Sequence, residues 1–145
     1  MNRNRIVLVF LLATISTTAI GQEFKIENFT VGFRCGVSGN TTTLLVDNMT
    51  DLIGKGDYSA IANLLNSKNT GELYLSIIVL ERLIEKQLFY QDDKKKKLLN
   101  LIKSSEIQVV ICAGCFRETY SMRYLFTKEN LIGVDKWLNG VLPRN

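Results

Sequence analysis

Two thiols, Cys112 and Cys115, stand three residues apart in VVICAGCFRE, behind an apolar, β-branched run and ahead of an Arg-Glu pair. A CxxC that ends a strand and opens a helix suits disulfide chemistry, because the positive end of the helix dipole stabilises the first thiolate. In that reading Cys112 attacks, Cys115 resolves, 109–111 forms the strand and the helix runs from 116. Cys35 opens two structural alternatives. It pairs with Cys112 or Cys115 and ties the N-terminal segment to the C-terminal half, closing a loop long enough to stabilise by about 4 kcal/mol in the chain-entropy account. Otherwise Cys112 and Cys115 close a small local ring and Cys35 stays buried as an apolar residue. Cys35, Cys112 and Cys115 are all disulfide candidates, and the odd count leaves one thiol over.

Other chemistry is constrained by what the chain lacks. It has no histidine, which removes Ser-His and Cys-His nucleophile pairs, an imidazole proton shuttle and a His ligand for zinc or haem. CAGCF is not a c-type haem attachment, which needs His directly after the second Cys. A thioredoxin fold carries its CxxC early and builds most of its sheet afterwards, whereas only thirty residues follow Cys115 and Pro143 is the sole proline. Three thiols with a carboxylate such as Glu118 fall short of the four Cys or His ligands of a closed zinc site, so no metal and no cofactor are expected. No Gly-rich phosphate loop and no GxSxG elbow occurs. The carboxylate pairs Glu81/Glu85 and Asp47/Asp51 lie one helical turn apart, but Glu81 and Glu85 alternate with Arg82 and Lys86 as on an ordinary wet face. No catalytic residue is assigned. In DDKKKKLL, Lys94, Lys95, Lys96 and Lys97 are anion-contact candidates for a lipid head group, an acidic polysaccharide or phosphate. The plainer reading is a solvated helix face, with Asp92 and Asp93 offsetting half the charge through i,i+4 pairs to Lys96 and Lys97.

The N-terminus sets the compartment in which those thiols work. Arg3 and Arg5 precede an apolar run over 6–15, and Ala19-Ile20-Gly21 offers small residues where a signal peptidase reads. That run is shorter than the ~20 residues of a spanning helix. Residues 1–21 therefore read as a cleaved signal peptide and 22–145 as a single small helical domain, secreted or periplasmic. Removing two arginines takes the formal charge from +4 to +2, too small a surplus to argue for nucleic acid. Asn28-Phe29-Thr30, Asn40-Thr41-Thr42 and Asn48-Met49-Thr50 match the glycosylation pattern, as a Ser/Thr-rich chain does by chance.

The elements that must position the cysteines are mostly helical. From Phe29 to Val37 apolar and polar residues alternate strictly, which predicts an extended N-terminal segment, with Gly32 and Gly36 marking a possible bulge. After the turn Ser38-Gly39-Asn40, Leu44, Leu45, Asn48 and Leu52 share one side of a helix closed by Gly54-Lys55-Gly56. Asp57 caps a short helix carrying Tyr58, Ile61, Leu64 and Leu65. Asn69 or Thr70 caps a long helix over 71–89, apolar almost all round in its first half and so central. Asp92 caps a helix to about 104 with Leu98, Leu101 and Ile102 as its buried stripe. In 106–126 Ile107, Val109 and Ile111 alternate like a strand, while Phe116, Tyr120 and Tyr124 fit either periodicity. A last helix from 127 carries Leu131, Ile132, Val134, Trp137 and Leu138 and stops at Gly140 and Pro143.

The fold class is thus mainly α: a compact helical domain with an extended N-terminal segment and a short extended piece before the CxxC. The stretch GDYSAIANLLNSKNTGELYLSIIVLERLIEK, over about 55–87, resembles a single HEAT-type antiparallel helix pair, a resemblance that implies helix stacking and a scaffolding or binding role. A solenoid needs several such units, and the chain has room for about two. The expected function is an exported, non-catalytic helical module, stabilised by a disulfide, that binds a partner protein. The alternative is a thiol-disulfide redox protein using Cys112 and Cys115. A third reading has Lys94–Lys97 on a peripheral anionic surface.

Overall fold

The structure is a computed structural model describing residues 26–39, 41–127 and 133–143. The leader, Asn40, Leu131 and Ile132 lie outside the described residues. The element order is β1 (Thr30–Cys35), α1 (Leu44–Gly54), α2 (Tyr58–Asn63), α3 (Thr70–Glu85), α4 (Asp93–Lys103), β2 (Gln108–Gly114), β3 (Phe116–Ser121), α5 (Met122–Thr127) and α6 (Val134–Val141), with 3-10 turns at Ile26–Phe29 and Leu64–Asn66. The described chain is mostly α with a small sheet.

Three of the helices start where a short polar side chain satisfies orphan N–H groups. Asp57 accepts from the Ala60 N–H at 3.0 Å, Asp92 from the Lys95 N–H at 2.8 Å, and Asn69 from the N–H groups of Gly71 and Glu72 at 3.0 and 3.4 Å. Helix α3 buries Leu73, Tyr74, Leu75, Ile77, Val79, Leu80 and Leu83, so it is covered on several sides. It ends at Glu85, earlier than its periodicity suggests. Gln87 takes a left-handed φ of 58°, and the Leu88 N–H bonds the Leu83 carbonyl at 2.8 Å, closing a Schellman turn without glycine.

The two extended pieces that the sequence sets far apart are neighbours. Strand β2 is central, parallel to β1 on one side and antiparallel to β3 on the other. Helices α1 to α4 make the crossover from β1 to β2, as parallel pairing requires. Helix α3 packs on α1 and α2 and also on β1 and β2, and so sits between helices and sheet. Val31, Val109 and Ile111 point into this core. Helix α6 closes the remaining side: Trp137 lies 5.0 Å from the Phe33 ring, and its indole N–H donates to Thr50 Oγ1 at 2.9 Å.

Several expectations change. The region 116–121 is a strand, not the helix of a redox CxxC: Gly114, with φ 60°, and Cys115 form a two-residue hairpin turn between the paired residues Ala113 and Phe116. Helix α1 buries Leu45, Val46, Met49 and Ile53, leaving Leu44 and Asn48 in water, because the helix begins only at Leu44 and its core stripe is set by α3 beneath it. In α4 the buried residues are Leu99 and Ile102, while Leu101 is 69% exposed. Asp92 and Asp93 make no ion pair with Lys96 or Lys97, since the Asp92 carboxylate turns back as the helix cap. The C-terminal helix begins at Val134, behind Gly133 with φ 100°, and 122–127 is a separate short helix.

Candidate functional site: the disulfide groove

Cys35 is bonded to Cys112 across 77 residues of sequence, with a Cα–Cα distance of 5.6 Å; Cys115 is a free, exposed thiol. The pairing depends on one extra residue in β1. Thr30 and Val31 sit opposite Val110 and Ile111, but Arg34 and Cys35 sit opposite Ala113 and Gly114. Three steps on β1 match two on β2, which is a β-bulge at Gly32-Phe33. Without it, Cys35 would lie opposite residue 115 and share the face of Ile111, the core face. With it, Cys35 shares the face of Gly114 and Cys112, turned away from the core.

The bulge is held by backbone and side chain of one threonine. Thr43 Oγ1 accepts from the Gly32 N–H at 3.0 Å, and the Thr43 N–H donates to the Gly32 carbonyl at 3.0 Å. A Cβ at position 32 would run into Cys35 Sγ and stand 3.0 Å from Cys112 Cβ, so only glycine lets the disulfide cross the strand. Beyond the bond, the Gly36 N–H donates to the Gly114 carbonyl at 2.9 Å and ties the end of β1 to the hairpin.

The disulfide forms part of the wall of an open groove of about 710 Å³, into whose lining Cys115 also enters. Asn28, Thr42 and Arg117 supply polar lining, and Val37 and Leu44 the apolar part. Arg117 pairs loosely with Glu27 at 3.8 Å. Val37 is 95% exposed, Leu44 56%, and Phe116, next to Cys115 on the hairpin, 75%. On the other face of β3 the Tyr120 hydroxyl donates to the Glu118 carboxylate, which holds that phenol above its ordinary pKa.

The other candidates stay apart from this place. Lys94–Lys97 are all exposed on the first turn of α4. Four consecutive helical residues point in four directions about 100° apart, so they make no single cationic face. Glu81 is taken by Lys103 at 2.5 Å and Glu85 by Arg82 at 3.2 Å, while Asp47 accepts from Thr42 Oγ1 at 2.5 Å and Asp51 faces Lys55 at 3.7 Å. Among the described residues no group of three His, Cys, Asp or Glu side chains could hold a metal ion, and no helix is long and apolar enough to cross a membrane. Sequence reasoning missed Val37, Leu44, Thr43 and Arg117 as groove residues; the one usable signal was Gly32, whose place inside a strand pattern pointed to a bulge.

Comparison with known protein families, with curated proteins and with solved structures gives no match to this chain.

Proposed function

We propose that the chain is an exported, non-catalytic interaction module that takes a partner protein at the groove beside the Cys35–Cys112 bond. The observation that carries this reading is the groove's rim, where Val37 and Leu44 hold apolar side chains in water beside a concave surface. Single exposed apolar residues are ordinary, but apolar residues gathered round a concavity and edged by polar ones have the make-up of a protein contact. The disulfide stiffens one wall, which lowers the entropy lost on docking. A helical scaffold holding a rigid site agrees with the binding role that the HEAT-like stretch implies. Export rests on the leader-like 1–21 and fits a chain that keeps a disulfide.

Three measurements test the reading. A photocrosslinking residue at Val37, in protein recovered from the exported fraction, should capture a partner that the same residue at Lys55, at the far end of α1, does not. Binding of that purified partner, followed by calorimetry, should weaken by at least about tenfold (about 1.4 kcal/mol) in Val37→Asp/Leu44→Asp. An unchanged affinity with an unchanged melting temperature would remove the groove from the account. The native N-terminus should be Gln22, and retention of Met1 would remove export.

A further inference from the structure

The fold places all three cysteines on one groove, two of them bonded and the third a free thiol. Cys112 Sγ stands 3.6 Å from the carbonyl oxygen of Gly114, and the carbon of that carbonyl is bonded directly to the backbone nitrogen of Cys115. The Cα of Cys115 is therefore three bonds from an atom in contact with the disulfide, and the Cys115 side chain lines the same groove. The hairpin turn holds it there, because Gly114 is tied to β1 by the Gly36 N–H at 2.9 Å while Phe116 is paired with Ala113. A thiolate beside a disulfide has a defined reaction, attack along the S–S axis with expulsion of the far sulfur.

We propose that Cys115 is the nucleophile of an intramolecular thiol–disulfide exchange that displaces Cys35 from Cys112. The Cys115 thiol loses its proton to water, its sulfur forms a bond to Cys112 Sγ, the Cys35–Cys112 bond breaks, and Cys35 leaves as a thiolate that takes up a proton. One disulfide and one thiol are present before and after, so no oxidant or reductant is consumed. The roles are the reverse of a CxxC in which the first cysteine attacks: here Cys112 is the buried, central sulfur and Cys115 the exposed, attacking one. The product frees the end of β1 from the hairpin, leaving the Gly36–Gly114 hydrogen bond and the Gly32–Thr43 clamp to hold that wall of the groove. Among the described residues the charged groups lining the groove are Arg117 and Glu27. The inference does not depend on the groove binding a partner.

The test uses the oxidised, full mature protein, incubated without reductant at several pH values, quenched in acid, alkylated and digested with trypsin. Cleavage after Arg34, Lys55, Lys103 and Arg117 puts Cys35 on one peptide and both Cys112 and Cys115 on another. Before exchange the two peptides are linked and the label sits on Cys115. Afterwards the second peptide should be unlinked, unlabelled and lighter by two hydrogens, and the first should carry the label. The rate should rise with pH, about tenfold per unit while the thiol form predominates, and should not depend on protein concentration. Cys115→Ser should keep the link and never label Cys35. Label confined to Cys115 at every pH, label reaching Cys112, or a rate that grows with concentration together with disulfide-linked dimers would each overturn the proposal.

Discussion

Helix α3 and the β2–β3 hairpin contain the most apolar runs of the domain, LYLSIIVL and VVICAGCF, yet the fold treats them in opposite ways. In α3 nearly every side chain from Leu73 to Leu80 is buried, because helices lie on one side of it and strands on the other. In the hairpin burial fades along the chain: Val109 and Ile111 reach the core, Cys112 is covered on the outer face, and Phe116 to Thr119 are all exposed. Strand β3 is hydrogen-bonded to β2 but lies beyond the cover of α3. Apolar content determines what an element wants to bury; the neighbours on each side determine whether it does.

The disulfide ties the hairpin to β1, the strand on which α3 also packs, and breaking it should have the largest effect. Closing 77 residues is worth about 4.5 kcal/mol in the chain-entropy account, so Cys35→Ser/Cys112→Ser should lower the unfolding free energy in urea by about that amount. A loss under about 1 kcal/mol would mean that the hairpin needs no latch. Within the core, Leu83, fully buried on α3, should cost about 3 kcal/mol as Leu83→Ala, read from the shift of the urea midpoint at constant slope.

A smaller effect on the same helix depends on pH. Burial pushes the Tyr74 hydroxyl well above the ordinary pKa near 10, so the folded state prefers the neutral phenol. The folded value is the raised one, hence this contribution is complete below about pH 10 and is lost as pH climbs toward the folded value, by at most about 1.4 kcal/mol per pH unit. Chemical denaturation between pH 9 and 11 should show Tyr74→Phe falling less steeply than the parent; parallel curves would show that the phenol ionises alike in the folded and unfolded states and that burial does not raise it. The smallest change belongs to the hairpin: Phe116→Ser should alter stability by no more than about 0.5 kcal/mol in thermal melts, and a drop like that of Leu83→Ala would mean that Phe116 is covered in solution.

Legibility follows the same divide. The caps Asp57, Asn69 and Asp92 act within their own first turns, and each stands where its residue type and position indicate. The end of α3 was not legible, since Gln87 adopts a backbone conformation that ordinarily signals itself through glycine or asparagine. The face of α4 was not legible either: Leu98, Leu99, Leu101 and Ile102 offer two overlapping stripes, and only the packing of the helix chooses Leu99 and Ile102. In 116–126 aromatic residues fit both periods, and the hairpin turn at Gly114-Cys115 decides for strand.

The amino-acid sequence by itself determines where α2, α3 and α4 begin, that α3 is central, that the chain lacks imidazole chemistry and that three cysteines leave one unpaired. It does not determine which two join. That choice belongs to the tertiary structure, because side chains alternate across a strand and a single bulged residue moves Cys35 from the core face to the face of Cys112. Neither the bulge nor the parallel neighbour that reveals it exists until residues far apart in the chain are packed together.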